Sequence, residues 1–234
     1  MDYYEPLQAE KVYHLYNRSN NKDLMFPKTD NYAYFLKKMA TYLSDFMDIY
    51  AYCLLPNHFH LLARMKNEEH IQEAFAKVIT QKGTTSKKFE AYNRNNTNRT
   101  NSSLRTVSSV PLSANEIISE QFRNLFSGYS KAINKQDKRT GSLFQKQFKR
   151  LPVVDEVYFT RLVWYIHRNP VHHHICRDFR DYAWSSYSRF LLPQASKLDK
   201  DYIFSWFGGK EDFINFHLGQ QALEDMQDLL IEDE

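Results

Sequence analysis

Two histidines separated by one residue are the sharpest chemical feature of the sequence. They lie in the segment Pro56-Asn57-His58-Phe59-His60, and the residues from 58 to 65 are predicted to form a β-strand. Because residues two apart on a strand point to the same face, His58 and His60 present their imidazoles side by side. Two neutral imidazoles at this spacing can chelate a divalent cation with a third ligand from elsewhere. Chance surface histidines give the same pattern, so spacing alone leaves both interpretations open.

Tyr129 is the second candidate for chemistry. It lies on the apolar stripe of a helix predicted over 115–136, so we expect it to face the sheet. A core tyrosine with a satisfied hydroxyl is the structural alternative, but several lysines and an arginine flank this position. A cation held by His58 and His60 can polarise a phosphodiester, and a tyrosine hydroxyl can attack its phosphorus to form a covalent phosphotyrosine. This reaction requires Tyr129 to face the histidine pair.

The elements that must position these residues follow a β-α-β-β-α order. Alternating residues predict a strand over 11–18, and helical spacing predicts a helix over 30–47 with Asp30 as its N-cap. The other predicted elements are a hairpin of strands 49–55 and 58–65, helices over 68–80 and 115–136, a strand within 142–153, and a helix that Asp155 caps and Pro170 stops. This order predicts an α+β fold with a ferredoxin-like antiparallel sheet, whose helices would leave one face open.

The sequence divides into three predicted parts. Residues 1–152 form the predicted catalytic domain, interrupted at about 82–114 by an insertion rich in Asn, Ser, Thr and Arg. Such a composition buries too little apolar surface to offset the entropy of ordering, so we expect a mobile loop. Residues 153–209 are predicted to form a C-terminal helical extension packed on the catalytic domain, and 210–234 an acidic tail.

The charge distribution favours a polyanionic partner. Of the 234 residues, 42% are hydrophobic and 25% charged, which excludes disordered proteins, and the low content of six Gly and seven Pro excludes collagen-like ones. The net charge of +3 conceals eight acidic residues against one lysine in 210–234, so the first 209 residues carry +10. A basic body of this kind suits nucleic acid, although solvated lysines and a solubilising tail produce the same pattern.

Cysteine usage and hydropathy indicate a reducing compartment. Cys53 and Cys176 have no paired spacing, and Cys53 lies in an apolar run typical of a core residue. The sequence opens without a basic and then apolar leader, and its apolar runs are too short to span a bilayer. We therefore expect a cytoplasmic location and no contact with a membrane.

Five blocks of the sequence together resemble the REP-associated tyrosine transposases, relatives of the single-tyrosine HUH transposases of small insertion sequences. The blocks are YHLYNRSNNKDLMF, AYCLLPNHFHLLARM, FSGYSKAINK followed after four residues by TGSLFQKQFKR, LVWYIHRNPV and DYAWSSY. They extend from residue 11 to about 190, interrupted by the 82–114 insertion. Their order and number make the resemblance far more specific than the histidine pair alone.

The resemblance implies roles for individual residues. His58 and His60 match the HUH pair that binds the metal, Mg²⁺ or Mn²⁺, and Tyr129 matches the nucleophile. The third metal ligand of the family matches Asn134. On a regular helix, however, Asn134 lies about 140° from Tyr129, so Gln136 at the i+7 position is a competing ligand.

The resemblance also implies that the protein recognises single-stranded or hairpin DNA, as a monomer or homodimer. Basic and polar residues after the first strand and around the end of the 115–136 helix are the candidates for phosphate contacts. These predicted DNA-binding residues are Asn17, Arg18, Lys138, Arg139, Lys146, Lys149 and Arg150.

The predicted function is therefore a metal-dependent single-stranded DNA endonuclease and strand-transfer enzyme, a transposase-like protein that works through a 5′-phosphotyrosine. One alternative is a hairpin nucleic-acid-binding protein that does not cleave, and another is a phosphoesterase acting on small substrates. The histidine tract 172–174 is set aside as a metal site, because its three side chains cannot all point one way.

Overall fold

The structure, a computed structural model, describes residues 4–82, 112–194 and 196–219. Apart from its ends, the predicted insertion at 82–114 lies outside the described residues, as does the chain from 220 onward. The elements are β1 (Val12–Arg18), α1 (Thr29–Leu43), β2 (Met47–Leu55), β3 (His58–Met65), α2 (Glu68–Lys82), α3 (Ala114–Gln136), β4 (Lys149–Pro152), α4 (Glu156–His172), α5 (Tyr187–Leu191), α6 (Lys200–Phe207) and α7 (Lys210–Leu218). Short 3-10 turns lie at Asn20–Lys22 and Phe179–Asp181.

Within the described residues, an antiparallel four-stranded sheet has the strand order β2-β3-β1-β4. The predicted α+β fold with a ferredoxin-like antiparallel sheet is confirmed. The fourth strand is shorter than the predicted segment 142–153, because only Lys149–Pro152 pairs along β1. Residues 141–148 instead form a loop that crosses the end of β1, where the backbone N–H of Gln145 donates to the Arg18 carbonyl at 2.9 Å.

The two faces of the sheet carry separate hydrophobic clusters. Leu15 and Phe59 point to the face covered by α1, α2 and α3. Leu62 and Cys53 point to the other face, against α4 and the helices that follow it. The expectation of an open face is therefore wrong, because α4 buries its apolar stripe there, including Leu162. Burial on both sides also explains why β2 is an almost continuous apolar run.

Helix boundaries depart from the predictions at two places. Helix α1 begins at Thr29 with Lys28 as its N-cap, so the assignment of Asp30 to that position is wrong. Helix α4 has the predicted N-cap, since Asp155 Oδ1 accepts a 2.7 Å hydrogen bond from the backbone N–H of Tyr158. It continues through Pro170 to His172 instead of stopping there. A proline this near the C-terminus removes one backbone N–H without ending the last turn.

The C-terminal helical extension reaches further than predicted. Residues 210–218, assigned to the acidic tail, form helix α7 and bury Phe213 and His217 completely. In the core of this extension, the His217 and His167 rings lie 2.8 Å apart through Nε2 and Nδ1, and His167 Nε2 lies 2.7 Å from the Ser186 hydroxyl. Within the part of the chain that the structure describes, the helices are too short or too polar to cross a membrane.

Candidate functional site

The histidine pair lies on the face of β3 that points toward α4. His58 and His60 share that face, as their spacing predicts, with ring centroids 5.2 Å apart and planes nearly perpendicular. The pairing of β3 with β1 sets Arg18 opposite His58 and Tyr16 opposite His60. Because directly opposed residues project to the same face, the two strands together present a compact group of imidazoles, a phenol and a guanidinium.

His14 supports the pair from β1. Its Nε2 lies 3.0 Å from Nδ1 of His60, and both rings stack against Tyr16. Burial lowers the pKa of His14 to about 3. Burial, reinforced by the neighbouring His58, lowers the pKa of His60 well below its usual value. Both rings are therefore neutral at pH 7, so one nitrogen of the pair donates and the other accepts. His14 is not among the site residues predicted from the sequence, although the alternation of β1 places it on the side of Tyr16.

A cavity of about 90 Å³ opens beside the two histidines. We call it the histidine cavity. Its lining residues are Tyr16, Asn17, Arg18, His58, His60, Gln145 and Lys149. Three of the predicted DNA-binding residues thus meet the predicted metal ligands, and no carboxylate occurs among these described lining residues. The Lys149 ammonium lies 5.3 Å from the Tyr16 ring centroid, which sets its charge at the cavity.

Tyr129 lies on the opposite side of the sheet. Its ring packs among Phe26, Phe35 and Phe144 in the cluster beneath α1 and α3, and its side chain is completely buried. Its hydroxyl donates to the Met25 carbonyl at 2.9 Å. Burial raises the pKa of Tyr129 above its ordinary value, which keeps the hydroxyl protonated. Tyr129 does face the sheet, but the prediction that it faces the histidine pair is wrong, because the sheet separates them.

The two predicted third ligands also lie elsewhere. Asn134 Nδ2 donates to the Gly141 carbonyl at 2.8 Å, and its Oδ1 accepts from Arg139 at 3.3 Å, so Asn134 organises the turn after α3. Gln136 Oε1 accepts from Asn31 Nδ2 at 2.9 Å. The histidine cavity includes neither residue in its lining, and its amides are Gln145 and Asn17. The structure therefore does not bring Asn134 to the histidine pair, and its assignment as the metal ligand stays a prediction.

The histidine pair itself fits a metal ion. His58 Nδ1 lies 2.7 Å from Asn57 Oδ1, which only accepts hydrogen bonds, so Nδ1 is the donor, and Nε2 carries the lone pair when the ring is neutral. A partner on Nδ1 that fixes the ring and its tautomer is the usual arrangement of metal-binding histidines, and His14 occupies that place for His60. Among the described residues, three or more His, Cys, Asp or Glu side chains do not gather at any metal site. The other lining residues with a neutral oxygen are Tyr16, Asn17 and Gln145, and the His173 ring lies 4.7 Å from that of His58.

The four remaining predicted DNA-binding residues lie outside the lining of the histidine cavity. Arg150 follows Lys149 in β4 and points to the other face, where its guanidinium lies 3.3 Å from Asn115 and Ser119 of α3. Arg139 forms a 2.6 Å ion pair with Asp23. Lys138 is exposed at the end of α3, with a left-handed backbone. Arg139 and Arg150 therefore contact other parts of the protein, whereas Lys138 is exposed. Their equal charges in the sequence do not reveal this difference.

Lys146 belongs to a second and larger cleft, which we call the outer groove. It has a volume of about 580 Å³ and runs between the exposed side of α3 and the 141–148 loop. Its floor contains Phe126, Phe144 and Phe148, and its basic residues are Arg123, Lys131 and Lys146. Gln145 lines both clefts, so the outer groove and the histidine cavity adjoin at this residue.

Comparisons with known proteins agree with this architecture. Scans of protein-family models and of curated proteins found no match to the sequence. A search of solved structures found one described as a REP-associated tyrosine transposase bound to a REP hairpin, with a TM-score of 0.52 and 14% sequence identity. The match covers 85% of this chain and 94% of that chain. The chain therefore has a fold similar to that of a REP-associated tyrosine transposase.

Proposed function

We propose that the protein binds hairpin-forming DNA and holds a backbone phosphate at the histidine cavity. The observation that carries this proposal is the convergence of Arg18 and Lys149, from adjacent strands, on a cavity without a carboxylate in its described lining. Two cations in a partly enclosed site attract a phosphate more strongly than the same cations do on an open surface. The solved structure with a similar fold is described as bound to a REP hairpin, which supports DNA of this kind as the partner.

His58 and His60 would hold a divalent metal ion at this cavity through their Nε2 atoms. When bound, the ion neutralises charge on the non-bridging oxygens of a phosphodiester. Arg18 and Lys149 orient the phosphate, while His14 and Asn57 keep the imidazoles in one orientation. Asn17 Nδ2 donates to the Gln145 carbonyl at 3.3 Å, which ties the 141–148 loop to the end of β1.

Strand cleavage at the same cavity is the second candidate function, with Tyr16 in place of Tyr129. The observation that favours it is the position of Tyr16, which lines the cavity beside His60 with ring centroids 5.6 Å apart. In such a step the Tyr16 oxygen would form a bond to phosphorus as the bond between phosphorus and the 3′-oxygen breaks, and the proton that Tyr16 loses would end on the departing 3′-oxygen. Tyr129 has no part in this second candidate, because its hydroxyl is buried on the other side of the sheet from the cavity.

Fluorescence anisotropy with a labelled hairpin carrying a single-stranded flank tests DNA binding. We expect tighter binding than to an unfolded strand of the same composition, and an affinity that falls about threefold per phosphate contact between 50 and 200 mM salt. Arg18→Gln and Lys149→Gln should each weaken binding about tenfold, whereas Arg150→Gln, the neighbouring charge on the other face, should not. Equal losses for Lys149→Gln and Arg150→Gln would contradict the proposed site.

A denaturing gel separates binding from cleavage. The protein is incubated with labelled hairpin DNA and Mn²⁺, and a covalent adduct is sought. An adduct that persists in Tyr129→Phe and disappears in Tyr16→Phe supports the second candidate. An adduct that disappears in Tyr129→Phe would contradict the opposite-face arrangement of Tyr129 and the histidines. Hairpin binding without an adduct supports a protein that binds and does not cleave.

A further inference from the structure

A third cleft lies on the face of the sheet opposite the histidine cavity, between α1 and the edge strand β2. We call it the edge groove. Its volume is about 320 Å³, and its apolar lining residues are Leu36, Met39, Ala40, Ile49, Tyr52 and Leu198. This volume is at the lower end of the range for ligand pockets, so the groove suits a few apolar side chains.

The rim of the edge groove is basic. Arg189 and Lys197 are exposed and line it, and no carboxylate occurs among its described lining residues. Lys197 Nζ donates to the Ser44 hydroxyl at 3.3 Å, and Arg189 donates to the Tyr52 hydroxyl. Because both partners are uncharged, the two cations keep their charge available to an acidic ligand. An apolar floor with a basic rim matches an amphipathic segment that carries carboxylates.

The sequence that follows α7 has this composition. Residues 220–234 contain six acidic residues and no lysine or arginine. At helical spacing, four apolar residues of this segment share one stripe: Leu223, Met226, Leu229 and Leu230. Asp225 and Glu232 border that stripe on the side of Leu229. The segment therefore offers apolar side chains to the floor of the groove and carboxylates to its rim.

The segment starts close to the edge groove. His217, in the last turn of α7, bonds to His167 at 2.8 Å, and His167 bonds to the Ser186 hydroxyl at 2.7 Å. The same hydroxyl accepts a 2.9 Å hydrogen bond from the backbone N–H of Tyr52, which lines the groove. The chain from 219 to 226 extends up to about 23 Å. It can pass around the edge strand β2, because packed layers lie only about 10 Å apart.

We propose that the edge groove binds residues 223–230 of the same chain, with the apolar stripe on its floor and carboxylates beside Arg189 and Lys197. The acidic segment is then held on the face of the sheet away from the histidine cavity, where it does not compete for Arg18 and Lys149. This inference is independent of the proposed function, because it concerns another groove and requires no DNA.

Hydrogen–deuterium exchange of the full-length protein without DNA tests the proposal, with mass spectrometry of peptides from 220–234. We expect amides of this segment to exchange about tenfold more slowly than those of a synthetic peptide of the same sequence. Met226→Ser should reduce this protection about tenfold, because it removes an apolar side chain from the groove. Gln221→Ser, which lies off the apolar stripe, is the control and should leave the protection unchanged.

A charge exchange tests the rim of the groove. Lys197→Glu should reduce the protection of 220–234 about threefold, because it places a carboxylate beside an acidic segment. Adding Asp225→Lys and Glu232→Lys to Lys197→Glu should restore the protection. Lys11→Glu, at an exposed lysine before β1, is the control and should have no effect.

A substitution in the floor tests the location. Ala40→Gln puts a longer polar side chain into the edge groove and should abolish the protection of 220–234. Ala33→Gln, at an exposed position of the same helix, should leave it intact. Unchanged exchange of the α1 amides in each variant shows that the fold is retained.

Three results would overturn the inference. In the first, 220–234 exchanges as fast in the wild-type protein as in the free peptide. In the second, the segment is protected but neither Ala40→Gln nor Lys197→Glu changes its exchange, so it covers another surface. In the third, protection appears only at concentrations where sedimentation shows a dimer, so the groove binds the segment of a second copy.

Discussion

The Tyr129 hydroxyl donates a 2.9 Å hydrogen bond to the Met25 carbonyl, on the side of the sheet away from His60. Both partners are completely buried, so the bond fastens the segment before α1 to helix α3. A tyrosine that resembles a family nucleophile in sequence therefore has a structural role that its surroundings explain. A structural role and a catalytic role of Tyr129 predict different outcomes for the substitution Tyr129→Phe.

Tyr129→Phe should destabilise the protein without affecting DNA binding. Removing the hydroxyl leaves a buried carbonyl without its donor, which costs about 1–2 kcal/mol. Urea denaturation measures this difference, with Tyr4→Phe as a control because the Tyr4 side chain is 43% exposed. Unchanged stability together with lost DNA processing would instead favour a catalytic Tyr129.

His14→Phe should weaken metal binding by the histidine pair. The phenyl ring can retain the stacking on Tyr16 but cannot hydrogen bond to His60 Nδ1, so the His60 ring loses the contact that fixes its tautomer. Loss of such a partner typically lowers metal affinity about 10–100-fold. Electron paramagnetic resonance of added Mn²⁺ measures the affinity directly, without DNA. His174→Gln, an exposed position, is the control. Equal Mn²⁺ affinity in His14→Phe and the wild type would show that His14 does not support metal binding by His60.

Stability should fall in mild acid, and two histidines of the C-terminal extension contribute to this fall together with the buried His14 and His60. Burial lowers the pKa of His217 to about 4 and that of His167 well below its usual value. Arg168, which donates to the His217 carbonyl at 3.0 Å, and the ring of Tyr187 also face His217. The unfolded chain takes up protons near pH 6.5 and the folded chain does not. The stabilisation from His217, about 3 kcal/mol, is present above pH 6.5 and is lost as the pH falls toward 4.

Urea denaturation at several pH values between 7 and 4.5 checks this prediction. His217→Gln should be less stable at pH 7 but should lose less stability on acidification than the wild type. His70→Gln, at an exposed position, should retain the full pH dependence. Parallel stability curves for the wild type and His217→Gln would show that His217 does not contribute.

Phe213→Ala should strongly destabilise the extension. Phe213 is completely buried among Tyr187, Phe190 and Phe204, so truncation leaves a cavity and costs about 3–5 kcal/mol. Leu218→Ala in the same helix is the control, because Leu218 is 50% exposed and should change stability by less than about 0.5 kcal/mol. Similar small effects of both substitutions, measured by thermal unfolding, would mean that 210–218 behaves as a tail.

Local patterns were enough to determine the elements and the histidine pair. Alternation in β1 and β3 and the helical spacing of α3 depend on residues close in sequence, so the order of elements and the shared face of His58 and His60 could be predicted. The same reasoning correctly placed Tyr129 on the buried stripe of α3. These features follow from backbone geometry, which repeats every two residues in a strand and every 3.6 in a helix.

Tertiary packing decided which of these residues meet. Contacts between residues far apart in sequence, with α1 and the sheet, decide which face of the sheet α3 covers. Because α3 covers the face opposite to the one that carries His60, the sheet separates Tyr129 from the histidines. The sequence determined that the body of this protein is basic. Only packing decided that Lys149 opens onto the histidine cavity while its neighbour Arg150 bonds to α3, because adjacent residues of a strand project to opposite faces.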